Sequence, residues 1–98
     1  MPKIMSQEDF LGLSKPAVAI LRVAALGDLV SLEPVVRYFK KKYNNHLIIW
    51  LLRKEFVEIF SKHPLLDYLV VVAHLEEGSE LIKDDQESYS DNLVLATS

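Results

Sequence analysis

The segment that most constrains this chain runs from Ala17 to Tyr43, AVAILRVAALGDLVSLEPVVRYFKKKY. Ala17 to Val23 is aliphatic apart from Arg22 and lacks the strict alternation of a strand with one wet face. Such a run reads as a central parallel strand covered on both sides. Gly27 and Asp28 then mark a turn, after which Leu29, Leu32, Val36, Phe39 and Tyr43 recur at spacings of three and four. That is the apolar stripe of a helix whose other faces carry Arg37, Lys40, Lys41 and Lys42. Strand, glycine turn and amphipathic helix form one α/β unit.

The rest of the chain repeats the unit. His46 to Leu52, HLIIWLL, is a second apolar run, and Arg53 and Lys54 stand just past its end. Glu55 to Lys62 has Phe56, Ile59 and Phe60 on one helical face and stops at His63-Pro64. Tyr68 to Ala73 is the third strand, Leu75 to Lys83 a weaker helix because of Gly78, and Asn92 to Ala96 the fourth strand. The pattern predicts a three-layer, doubly wound, mainly parallel α/β sheet, truncated after strand four. The domain expected is residues 17–98, preceded by an arm over residues 1–16 in which Ser6 and Asp9 have capping-box spacing and Gly12 ends a single turn. The arm is expected to dock only loosely.

The helix after the first strand has two plausible starts. Asp28 serves as N-cap in one; Ser31 serves in the other, with Pro34 in the first turn. The apolar spacing favours the earlier start, which puts Pro34 in the second turn with a kink.

Ninety-eight residues, half of them hydrophobic, suit one modest core. The absence of cysteine excludes disulfides and thiolate metal sites. No signal-peptide pattern is present, and the apolar run from Ala17 to Val30, interrupted by Arg22 and Asp28, falls short of the roughly 20 residues a bilayer takes. The net charge of −3 conceals a segregation: seven bases against two acids between Arg37 and Lys62, then seven acids against Lys83 between Glu76 and Asp91. The basic middle can meet an anionic partner, although a solvated helix face is the plainer reading of Lys40 to Lys42.

Ligands of open α/β sheets bind beyond the carboxyl ends of the strands, where strand order reverses. The loop Ala24 to Asp28 belongs there if the first strand is central. It is neither GxGxxG nor a P-loop. Gly27 permits close backbone approach, and Asp28 either caps the helix or projects into the crevice as a general base. The helix terminus is expected to hold its carboxyl ionised, so its help as a base develops in the transition state. Arg22 either pairs with Asp28 or reaches an anionic substrate. The histidines His46, His63 and His74 are dispersed, so no metal site is read; no serine-nucleophile elbow and no aromatic-basic platform for nucleic acid is present.

The ordered set of Arg22, Gly27-Asp28, Pro34 and Trp50-Leu51, followed by HPLLDYLVVV, resembles the N-terminal part of the heptosyltransferases, glycosyltransferase family 9. The resemblance covers Ala17 to Ala73 and extends to the YSDNLVLA segment as the fourth strand. It implies a two-domain GT-B enzyme that transfers heptose from ADP-heptose to the lipopolysaccharide inner core by an inverting, metal-independent reaction, at the cytoplasmic face of the inner membrane. It implies Asp28 as general base and Arg22, Gly27, Arg53 and Lys54 on the acceptor side, with an anionic glycolipid as partner and a peripheral membrane contact. The donor nucleotide sugar belongs to a C-terminal domain outside this chain, which alone is expected to be inactive; no other cofactor is implied. Departures are the sixteen-residue leader and Glu33 where the family has a small or hydroxyl residue before the proline. The alternative from another class is a non-catalytic α/β binding or adaptor module, and a flavodoxin-like module is a distant third.

Overall fold

A computed structural model describes the backbone of residues 2–22, 26–89 and 93–96, and the side chains of residues 2–22 and 32–83. Five strands form one parallel sheet: β1 (Lys3–Met5), β2 (Ala17–Leu21), β3 (Leu47–Leu52), β4 (Tyr68–Val71) and β5 (Leu93–Ala96). Between them lie helices α1 (Gln7–Leu11), α2 (Leu26–Lys42), α3 (Val57–Phe60, entered through a 3-10 turn at Lys54–Phe56) and α4 (Leu75–Tyr89).

The strand order is β1-β4-β3-β2-β5. The chain steps from β2 to β3 to β4 in one direction, then returns past β2 to β5. Right-handed crossovers therefore place α2 and α3 on one face, and α1 and α4, whose connections run the other way, on the opposite face. The packing agrees. Val18, Ile20, Ile48, Trp50, Leu52 and Leu69 point toward Leu32, Val36 and Phe60 on the α2/α3 side. Their alternating neighbours Ala17, Ala19, Leu21, Ile49, Leu51 and Val70 meet Phe10, Leu81 and Ile82 on the α1/α4 side. Burial on both faces is why these strands read as continuous apolar runs.

The expected doubly wound sheet is present, with one strand more than expected. The leader, expected to dock loosely, supplies that strand: β1 pairs in parallel with β4, Lys3 opposite Tyr68 and Met5 opposite Val70. Ser6 Oγ accepts the N–H of Asp9 at 3.0 Å and caps α1, and Phe10 is fully buried. A three-residue strand with two exposed side chains has too little pattern to show in sequence.

Helix α2 begins at Leu26, earlier than either expected start, so Gly27 and Asp28 lie in its first turn and Asp28 is not the N-cap. Counted from Leu26, Pro34 falls in the third turn rather than the second, inside a helix that continues to Lys42. Glu33, the departure from the family pattern, ties α2 to the loop before β4. Its carboxylate accepts from Arg37 and lies 2.6 Å from Nε2 of the buried His63. His63 Nδ1 accepts the N–H of Leu65 at 3.1 Å, so the proton sits on Nε2 and is donated to Glu33. These two hydrogen bonds, from Arg37 first and His63 second, hold the Glu33 carboxyl below its ordinary 4.5.

Gly78 permits a close helix–sheet approach. A Cβ there would run into Leu21 Cδ1, so α4 lies close against the Leu21 side chain at the end of β2. Helix α4 also continues to Tyr89, past the Lys83 end that the sequence predicts.

Candidate functional site

Strand β2 flanks the reversal of strand order, with β3 on one side and β5 on the other. Its carboxyl end is therefore the position where a doubly wound sheet opens a crevice. Arg22 is the first residue beyond it. Its carbonyl accepts from Trp50 Nε1 at 3.1 Å, across the sheet from β3. Trp50 is fully buried and packs edge-on against Phe60, ring centroids 4.9 Å apart. A buried indole N–H needs an acceptor, and this one fixes the first carbonyl of the β2 exit. The sequence placed Trp50 in an apolar strand and in the family pattern, with no partner for its N–H. The signal it carried was a tryptophan in a continuous buried run, whose N–H had to be spent somewhere.

Arg53 follows β3 directly, and the β2–β3 register, Leu21 opposite Leu51, sets it one residue beyond the position facing Arg22. Its guanidinium lies 5.7 Å from the centre of the Phe56 ring. Arg53 Nε is buried and makes no hydrogen bond among the described residues; its 3.5 Å approach to Glu55 Oε2 is an ion pair only. The side chain as a whole is 43% exposed, so its accessible surface lies on atoms other than Nε. Lys54 is exposed and opens the 3-10 turn.

Lys54 also lines a cavity of about 460 Å³ with Gln7, Glu55, Val71, Ala73 and Glu77. This cavity lies at the carboxyl end of β4 and was not anticipated, because Gln7 comes from the leader. Gln7 Nε2 donates to the Val71 carbonyl at 2.9 Å and to Glu77. Glu77 also accepts the Ala73 N–H at 3.0 Å, while its own N–H goes to His74 Nδ1 at 3.2 Å, which caps α4. The Gln7 and Ala73 donors hold the Glu77 carboxyl below its ordinary 4.5.

Arg22, Arg53 and Lys54 thus gather at one edge of the sheet, and the backbone of Gly27 and Asp28 opens the helix that leaves the same edge. The side chain of Asp28, and the loop 23–25 before it, lie outside the described residues. Among the described residues no helix is long and apolar enough to cross a membrane.

The fold and this edge define a doubly wound α/β unit whose carboxyl end carries Arg22, Arg53 and Lys54 together with Glu55 and Glu77. Compared with known proteins, the chain is 36% identical over 52 residues to lipopolysaccharide heptosyltransferase 1 of Campylobacter coli, a match covering 53% of this chain and 15% of the relative. The chain thus matches only a small part of that protein's length. No family model matches, and no solved structure matches.

Proposed function

We propose that this chain is an acceptor-binding α/β unit of a glycosyltransferase of the heptosyltransferase type. The observation that carries the reading is the placement of Arg22, Arg53 and Lys54 on neighbouring strand ends beside the reversal of strand order. The matched relative, a lipopolysaccharide heptosyltransferase, supplies the reaction class. The acceptor is an anionic glycolipid core. Its phosphate or carboxylate oxygens meet Lys54 and the solvent-facing part of the Arg53 guanidinium, and Arg22 contributes from the adjoining strand. Gly27 in the first turn of α2 leaves room for the acceptor to lie close to backbone.

Asp28 is the general base in this reading. The acceptor hydroxyl oxygen attacks the anomeric carbon of the heptose, its proton passes to the Asp28 carboxylate, and the bond to the nucleoside diphosphate breaks with inversion. In the two-domain plan of such enzymes the nucleotide sugar is held by a separate domain. Acceptor binding, rather than turnover, is accordingly the property to measure on these 98 residues. The site of action would be the cytoplasmic face of a membrane that presents the glycolipid.

A phosphorylated core oligosaccharide titrated into isotope-labelled protein tests the reading by amide chemical shifts. The expected result is saturable change at residues 22, 26–28 and 53–54, weakened by Arg53→Gln and retained by Asp28→Asn. A folded sample whose spectrum does not respond would instead indicate the adaptor reading and leave Asp28 a first-turn helix carboxylate.

A further inference from the structure

We propose a second, separate anion site at the opposite, amino edge of the sheet, which takes a phosphate or pyrophosphate group. The last turns of α2 and the loop before β4 border an open, shallow depression of about 440 Å³ lined by Arg37, Lys40, Lys41 and Leu65. Its position is fixed by Lys40, whose Nζ lies 3.4 Å from the carbonyl of His46, just before β3, and 3.8 Å from Asp67 Oδ2, just before β4. The candidate crevice is at the other ends of these strands, so the two cationic regions are distinct.

Lysines in a last helical turn complement the helix dipole, which accounts for their presence without a ligand. It does not account for the concavity. Arg37 stands a turn earlier than Lys40 and Lys41, and Leu65 comes from a different element, so three cations border one space with an apolar side. Two acids stand beside the cluster, Glu33 against Arg37 and Asp67 against Lys40, so the cations outnumber them by one and Lys41 is the one that neither acid pairs. Asp67 Oδ2 accepts the Ile48 N–H at 2.8 Å and is ion-paired with Lys40 at 3.8 Å, while the His46 carbonyl accepts one ammonium N–H, leaving the others for another acceptor. Glu33 divides its carboxylate between Arg37 and His63. Lys41 is exposed and has no ion pair among the described residues. A phosphate group offers several charged acceptors to such a cluster, and the volume admits pyrophosphate.

The shared chemistry, a phosphate group, can arrive free in solution or on a lipid headgroup. Two arms separate these sources. In the first, inorganic pyrophosphate is titrated at low salt and amide shifts are followed. Saturation at Arg37, Lys40, Lys41 and Leu65 is expected, with affinity reduced roughly tenfold by Lys41→Gln and unchanged by Lys83→Gln. In the second, the protein is sedimented with phosphatidylcholine vesicles, with and without phosphatidylglycerol. Sedimentation that needs the anionic lipid and is lost in Lys41→Gln supports the site and assigns its phosphate to a headgroup. Saturable pyrophosphate binding without sedimentation supports it and assigns a soluble ligand. Shifts that rise without saturation or spread equally to Lys3, Lys15 and Lys83, or a Lys41→Gln variant of wild-type affinity, would overturn the proposal.

Discussion

The two helical layers of this molecule solve the same packing problem with different materials. On the α2/α3 side the strands present large side chains, Trp50 among them, and the helices answer with Leu32, Val36 and Phe60. On the α1/α4 side β2 presents Ala17 and Ala19, and Gly78 removes the last Cβ between α4 and Leu21. One layer packs Trp50 against Phe60; the other brings the α4 backbone at Gly78 against the Leu21 side chain. Each is also fastened by one glutamate. Glu33 works through charged Arg37 and buried His63, whereas Glu77 works through neutral donors, the Gln7 amide and the Ala73 N–H. Salt and acid should therefore act unequally on the two sides, and the leader, through Gln7, is part of the second fastening.

The largest effects should come from the buried rings. Trp50→Ala should lower stability to urea by about 3–5 kcal/mol. Trp50→Phe, which keeps a ring beside Phe60 but loses the hydrogen bond to Arg22, should lose only about 1–2 kcal/mol. Phe10→Ala measures the other layer. A loss of about 3–5 kcal/mol is expected from its complete burial, whereas near-zero loss would return the leader to a loosely docked arm.

A smaller effect is expected at the close approach. Gly78→Ala gains about 0.5–1 kcal/mol of helix propensity but pushes into Leu21, a displacement that typically opposes folding by about 1–3 kcal/mol. The net should be destabilising in the native sequence and should turn stabilising when Leu21→Ala is also present. Additive effects of the two substitutions in a double-mutant cycle would break the claim that α4 is set by this contact.

The finest distinction is in pH. Both glutamates titrate below the ordinary 4.5 when folded, so below that value the unfolded chain binds more protons than the folded one. Their contribution is complete above the ordinary value and fades as pH falls through the lowered folded pKa. Glu33→Gln and Glu77→Gln should each flatten the acid limb of a stability profile. Added salt should shrink the Glu33 share more than the Glu77 share, because only Glu33 has a cationic partner beside it at every pH. Equal salt sensitivity of the two variants would erase the contrast between the fastenings.

Much of this architecture was legible in the sequence because burial on both faces leaves long apolar runs. Strands β2 through β5 lie within or close to the segments that the runs mark. Helix α2 was legible from its stripe, though its beginning was not: Leu26 and Gly27 join it although nothing in their residue types announces a cap. The Glu55 to Lys62 segment divides into a 3-10 turn and one turn of α-helix, a tightening that an apolar stripe does not encode. Gly78 reduced the expectation of a helix because propensity weighs against glycine, yet here the missing Cβ is what lets the helix pack. At the candidate site, topology could be foreseen and so could Arg22, Arg53 and Lys54 near the strand ends. The cavity beside Gln7 could not, since it depends on a leader strand three residues long. Nor could the Glu33–His63 contact, which joins residues thirty apart.

The most direct test of the central claim is photo-crosslinking of a phosphorylated core oligosaccharide carrying a diazirine, with the attachment sites read by peptide mass spectrometry. Adducts on peptides holding Arg22 to Asp28 and Arg53-Lys54, competed by the unmodified oligosaccharide, are predicted. Competable adducts found only around Arg37 to Lys41 and Leu65, with none at the carboxyl edge, would contradict an acceptor site beside β2.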